Sequence, residues 1–217
     1  MLMNALLRGF GSMATPVAAL LVAIASAVAP GISAAAEPAG RVDEARGRST
    51  ALQDGAMREL ADEAEVFLQE LVETSVGARL ALALGVDTRV LLGERTRLRI
   101  EKGVVDQGGT VLLQSGALLF ARPDGGGADR FVVRTPFAIV AARGTEFYVG
   151  PDVRPDKEGI EIFVERGIVT VRNNAGRVEL RAGQGTSVPS PDTMPGEPHD
   201  WGAPRIEAAY ARVGADR

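Results

Sequence analysis

The sequence predicts an all-β fold of short stacked strands, and three observations predict it. From Arg41 to Val188, glycine-containing breaks recur at intervals of roughly ten residues, the spacing of a strand-and-turn chain. Between them lie short runs rich in Val, Ile, Leu and Phe, too brief for helices and suited to a pleated, half-buried surface. The composition agrees: 26 glycines and 12 prolines against 5% aromatics favour turns and short strands over a helical bundle.

Taken in order, the runs are RVLL at 89–92, TRLRI at 96–100, TVLLQ at 110–114, ALLFA at 117–121 and RFVVR at 130–134. FAIVA at 137–141, EFYVG at 146–150, GIEIFVE at 159–165, IVTVR at 168–172 and RVELR at 177–181 follow. Several alternate. Leu98 and Ile100 are expected to face a core, with Arg97 and Arg99 in water. Ile160, Ile162 and Val164 share a face, with Glu161, Phe163 and Glu165 on the other. Pro136 lacks a backbone donor and belongs at a strand start or corner. Gly144 is the natural place for a positive φ or a bulge. One segment reads differently: Leu60, Ala64, Phe67, Leu68, Leu71 and Val72 have the spacing of an amphipathic helix over 56–74.

The ends carry other signals. Arg8 and the amino terminus precede the apolar run 17–29, which closes at Pro30-Gly31. Ala34-Ala35-Ala36 then fits a cleavage site, so 1–36 is expected to be a signal peptide and the mature chain periplasmic. The run is shorter than a spanning helix, and no stable membrane insertion is expected after cleavage. The β domain is placed at 37–190. Residues 191–217 form a Pro-rich linker unlikely to pack a core. A short helix with Ile206, Ala209, Tyr210 and Val213 on one face ends it and needs something to dock on.

Composition excludes several functions. With 217 residues, 46% hydrophobic, 24% charged and net charge −4, the chain reads as one ordinary globular domain plus extensions. The absence of a long basic run argues against nucleic acid. The absence of cysteine rules out disulfides, zinc-thiolate sites and a lipidated cysteine. The single histidine, His199, lies in the Pro-rich tail with no convergent partners. The acidic residues Asp62, Glu63, Glu65, Glu70 and Glu73 read as a charged face rather than a catalytic pair. The Asp spacing fits no calcium loop. Gly125 to Gly127 lack the Lys-Ser/Thr pair of a phosphate loop and read as a hairpin loop. No enzyme activity, catalytic residue, metal or cofactor is expected.

The stretch RFVVRTPFAIVAARGTEFYV at 130–149 is the most specific element. Its Thr135-Pro136 and Arg143-Gly144-Thr145-Glu146-Phe147 spell a motif that resembles the core of the FecR domain family of bacterial envelope proteins. The resemblance opens at Gly40-Arg41-Val42. It runs through 82–84, 91–93, 97–100 and 116–118, and closes at Val164 to Val171 and Val178 to Gln184. It implies an extended 56–74 region, in contrast to the helical spacing, and short strands in a solenoid-like or sandwich arrangement. It also implies a stand-alone, non-enzymatic periplasmic module for signal relay or scaffolding, with another envelope protein as partner. An envelope glycan or small-ligand binder is the alternative. Arg143 to Glu146 read either as a corner, with Thr145 bonding the backbone and Arg143 paired with Glu146, or as part of a recognition surface.

Overall fold

The computed structural model describes residues 36–215, apart from 86, 103–107, 123–130, 153 and 155–157. The expected signal peptide and the triple-glycine loop lie outside the described residues. The described chain is one curled, half-barrel sheet of sixteen strands with a single short helix. It is all-β, as the turn spacing predicts.

The first strands are β1 (Pro38–Arg46), β2 (Ser49–Gln53), β3 (Ala56–Glu59), β4 (Glu65–Phe67) and β5 (Leu71–Thr74). The 56–74 segment is therefore extended, not helical. Its apolar residues are split by turns: Glu63 and Gln69 take positive φ values of 63° and 66°, which break any helix. Leu60, Val66 and Val72 enter the core from separate strands and turns. Tertiary pairing has overridden the local spacing.

The middle of the chain gives β6 (Arg79–Leu84), β7 (Thr88–Leu92), β8 (Arg97–Lys102), β9 (Thr110–Ser115), β10 (Leu118–Ala121) and β11 (Phe131–Arg134). Leu98 and Ile100 are buried and Arg97 is exposed, as the alternation predicts. Two long strands follow, β12 (Ile139–Pro151) and β13 (Ile160–Arg172), then β14 (Arg177–Arg181), β15 (Gln184–Val188), β16 (His199–Asp200) and the helix α1 (Ala203–Val213).

The long strands correct the sequence reading. FAIVA and EFYVG are halves of one strand, and so are GIEIFVE and IVTVR. The reason is topological. β12 pairs with β13 along its whole length, but its first half takes β11 and its second half β10 on the other side. β13 likewise pairs with β14 at one end and β15 at the other. A strand serving two differently placed partners must bend midway. A glycine bulge supplies the bend without ending the strand.

The main core fills the inside of the curl, from Val42 and Leu82 through Leu98, Phe120 and Phe147 to Val171 and Leu180. Phe120 stacks on Phe131 with centroids 4.2 Å apart and lies 5.1 Å from Phe147. A second apolar cluster lies on the other face, where Ala117, Leu119, Tyr148 and Phe163 are covered by Trp201 and by Ile206, Ala209, Tyr210 and Val213 of α1. The short helix thus has its dock. The Pro-rich segment before it packs after all: β16 pairs with β15, and Trp201 is buried. No described helix is long and apolar enough to cross a membrane.

Candidate interaction surface

The Thr135-Pro136 element is a turn. Thr135 Oγ1 accepts from the backbone N–H of Phe137 (3.1 Å) and Ala138 (2.9 Å), and the Thr135 N–H donates to the Ala138 carbonyl (2.9 Å). A hydroxyl closing the backbone in this way needs no tertiary help. Pro136 is exposed just before β12, where its missing donor costs nothing.

Arg143 to Phe147 form the bend of β12. Gly144 has φ 56°, and the register with β13 shifts on either side of Glu146. Phe147 is fully buried. Thr145 is also fully buried, but its hydroxyl makes no hydrogen bond among the described residues, so the expected side-chain-to-backbone bond belongs to Thr135 instead. The expected Arg143–Glu146 pair does not form. Arg143 is exposed, and no ion pair joins the two among the described residues. The bend separates them: Arg143 stands opposite Ile168 before the register shift, and Glu146 stands beyond it, opposite Arg166. Glu146 is half-buried, and the Tyr210 hydroxyl of α1 donates to its Oε1 over 3.4 Å. Arg143 stands opposite Ile168, which is 45% exposed, and Ile168 stands opposite Arg181 on β14.

Behind the bend, the far face of β13, which carries Glu161 and Phe163, is covered. Phe163 stacks against Trp201 at 5.0 Å, and Glu161 is fully buried. Arg205 ion-pairs with Glu161 and lies 4.1 Å over the Trp201 ring. Arg154 approaches Glu161 at 3.7 Å and clamps the buried Asp152 with two bonds of 2.9 and 2.6 Å. Burial alone would raise the Asp152 carboxyl, but the bonds from Arg154 outweigh it and hold the group at about 2. Burial pushes the nearby Tyr148 hydroxyl well above its ordinary value. His199 is exposed but lies in β16 rather than a loose tail, with its Nε2 2.9 Å from Arg205. These charges hold the C-terminal segment down and meet no cleft.

Three of the acidic residues of 62–73 are likewise occupied. Glu70 is buried under three bonds from Arg58 and one from the Phe67 N–H. Glu73 pairs with Arg97 at 2.6 Å, and Asp62 accepts from the Ala45 N–H at 2.7 Å. Among the described residues no group of three His, Cys, Asp or Glu is placed to hold a metal.

An open groove of about 600 Å³ lies on the outer face of the sheet. Two cross-strand rows build it. One runs Thr110, Val132, Ala141, Thr170 over β9, β11, β12 and β13, and the other runs Arg134, Ile139, Arg172, Arg177 over β11 to β14. Arg134 is neutralised by Glu101 at 3.2 Å. Among the described residues, Arg172 and Arg177 have no acidic partner. The groove meets a second hollow of about 400 Å³ at Ile139 and Arg172, lined by Thr135, Pro136 and Asn174. The parallel pairing of β9 with β11 and the β13–β14 hairpin bring these residues together. Nothing local in the sequence announces them.

Residues 70–170 match the family described as FecR protein. The stretches at 40–42 and 178–184 that resemble the family fall outside this match. In the solved structures, the chain is similar to two crystal structures of a candidate anti-sigma factor from Parabacteroides distasonis. One aligns with a TM-score of 0.50 at 21% identity and the other with 0.51 at 20%, each over 63% of this chain and 62% of the other. At that identity the likeness is one of fold, and the chain spans about three fifths of the length of those proteins. No curated protein matches the sequence.

Proposed function

Starting from a chain that carries a FecR domain over residues 70–170, we propose that this protein is a non-enzymatic, protein-binding signal-relay or scaffold module of the bacterial envelope. The family match is the observation that carries this reading. The name of the similar Parabacteroides protein, an anti-sigma factor candidate, points the same way. The geometry supports it too. Of the seven motif residues, Thr135 closes a turn, Gly144 makes the bend, and Thr145 and Phe147 are buried, whereas Arg143 is held out to solvent beside Ile168. An exposed arginine next to an exposed aliphatic side chain is the composition of a protein contact.

In this reading the chain is exported, cleaved after Ala36 and active in the periplasm, with 37–190 as the binding domain and 191–217 strapped to it. Its partner is another envelope protein. A photo-crosslinking residue at position 143 of the exported protein, expressed in the bacterium, tests this. A discrete crosslinked protein band is expected, together with an N-terminus near Glu37. Crosslinks to glycan alone would favour the small-ligand alternative, which the 600 Å³ groove keeps in view.

A further inference from the structure

We infer that the outer groove is a binding site for an extended, acidic peptide segment of a partner protein, held by Arg172 and Arg177. This rests on the protein-binding reading and names where and by what chemistry the partner is held.

The charge comes first. The chain is net acidic, with 28 Asp and Glu against 24 Lys and Arg, yet the arginines of β11, β13 and β14 stand in one row across the groove. Only Arg134 is neutralised within the fold. Guanidinium groups set over a shaped surface recognise carboxylates by paired N–H donors.

Shape then selects among anions. Strands lie about 4.8 Å apart, so Arg134 and Arg172, two strands apart, are about 10 Å from each other at the backbone. A single phosphate would engage only the adjacent Arg172 and Arg177 and leave the rest of the row unused, and no helix N-terminus or glycine-rich loop among the lining residues supplies the backbone donors that hold a lone phosphate. Same-face side chains of an extended peptide recur about every 6.8 Å, so two or three carboxylates match a row of this length. Ile139 between Arg134 and Arg172, and Val132 in the row beside them, make an aliphatic floor that suits small apolar side chains between the acids. The second hollow beyond Ile139 extends the path toward the Thr135-Pro136 turn, which an elongated ligand would use and a compact one would not. Nucleic acid fits poorly, because Glu101 sits in the wall.

The test is fluorescence anisotropy of the full mature chain with a labelled peptide of alternating glutamate and valine. Controls are the same peptide with glutamine for glutamate, inorganic phosphate, and an oligogalacturonate as a carboxylated glycan. Binding to the glutamate peptide is expected, weakened by salt. Arg172→Ala with Arg177→Ala should weaken it roughly tenfold or more, while Arg48→Ala, at an exposed ion pair with Glu59 outside the groove lining, leaves it unchanged and circular dichroism shows the same fold for both variants. Equal binding of the glutamine peptide overturns the inference. So does competition by phosphate alone, preference for the oligogalacturonate, or an Arg48→Ala loss equal to that of the double variant. A concentration-dependent dimer that Arg172→Glu abolishes, without peptide binding, would assign the groove to a second copy of this chain. If the crosslinked partner at position 143 is still captured by the double variant, the protein-binding reading stands and the groove assignment alone fails.

Discussion

Thr145 and Gly167 meet across the β12–β13 pair so closely that only a glycine fits opposite the threonine. A Cβ built on Gly167 would run into Thr145 Cγ2 and lie 2.8 Å from the Gly144 carbonyl oxygen. Gly167 also has φ 91°, and Gly144 φ 56°. The two long strands therefore bend together at paired glycines, with a buried threonine filling the space where a side chain would otherwise stand.

Gly167→Ala should accordingly destabilise by roughly 2–4 kcal/mol, combining an unfavourable backbone with a steric overlap against a buried neighbour. Gly144 differs in kind, because its φ lies in the left-handed region that asparagine tolerates. Gly144→Val should cost roughly 1–3 kcal/mol and Gly144→Asn distinctly less. Urea titrations of the three variants check this. Equal losses for Val and Asn at 144 would show that space, not backbone geometry, sets the requirement there.

Arg143→Ala is expected to change stability by no more than about 0.5 kcal/mol, since Arg143 is exposed and has no ion pair with Glu146 among the described residues. Glu146→Ala should cost little more, its contact from Tyr210 being long at 3.4 Å. Thermal melts of both variants and the double variant should be additive. A coupling energy well above the error would reinstate the pair.

The strap formed by residues 199–213 should be tied down chiefly through Arg205. Arg205 meets buried Glu161, stacks on Trp201 and reaches His199. Arg205→Ala leaves Glu161 buried with Arg154 at 3.7 Å as a weaker substitute, so a loss of roughly 2–4 kcal/mol is expected. Arg205→Lys should recover little, because an ammonium cannot both fork to the carboxylate and lie flat on the indole. Hydrogen exchange across 203–213 reads the effect locally. Unchanged protection there would place the anchor in the apolar contacts alone.

These elements also show what was legible in the sequence. Whereas β3 to β5 lie where the local spacing reads as a helix, the strand positions from β7 to β14, the corner at Pro136 and the positive φ at Gly144 follow from local rules about proline, glycine and alternation. That Gly144 and Gly167 bend strands rather than end them did not, because it depends on β10 and β11 sharing one side of β12, a non-local fact. Alternation placed Phe163 and Glu161 on one face but could not say that Trp201 and Arg205 would cover it. The signal available was the lone Trp in an otherwise polar, Pro-rich segment, since so large an apolar side chain is rarely left in water. The groove was the least legible feature, as its arginines come from three strands whose adjacency only the fold creates.

The last expectation concerns acid. Asp152 is held near a pKa of about 2, below its ordinary 3.8, by the Arg154 bonds working against burial. A carboxyl depressed in the folded state binds protons less readily there than in the unfolded chain, so protonation favours unfolding. Its contribution is fully present above about pH 4 and is lost as pH falls toward 2. A shift of this size corresponds to roughly 2 kcal/mol. Asp152→Asn should therefore flatten the stability profile between about pH 4 and 2 and leave its shape near neutrality unchanged. Arg154→Ala should flatten it also, by returning Asp152 toward or above its ordinary value, and should lower stability at neutral pH because the buried carboxylate then lacks its clamp. Chemical unfolding of wild type and both variants at pH 5 and at lower pH measures the slopes. An Asp152→Asn profile as steep as wild type in that window would show that other carboxyls carry the acid sensitivity.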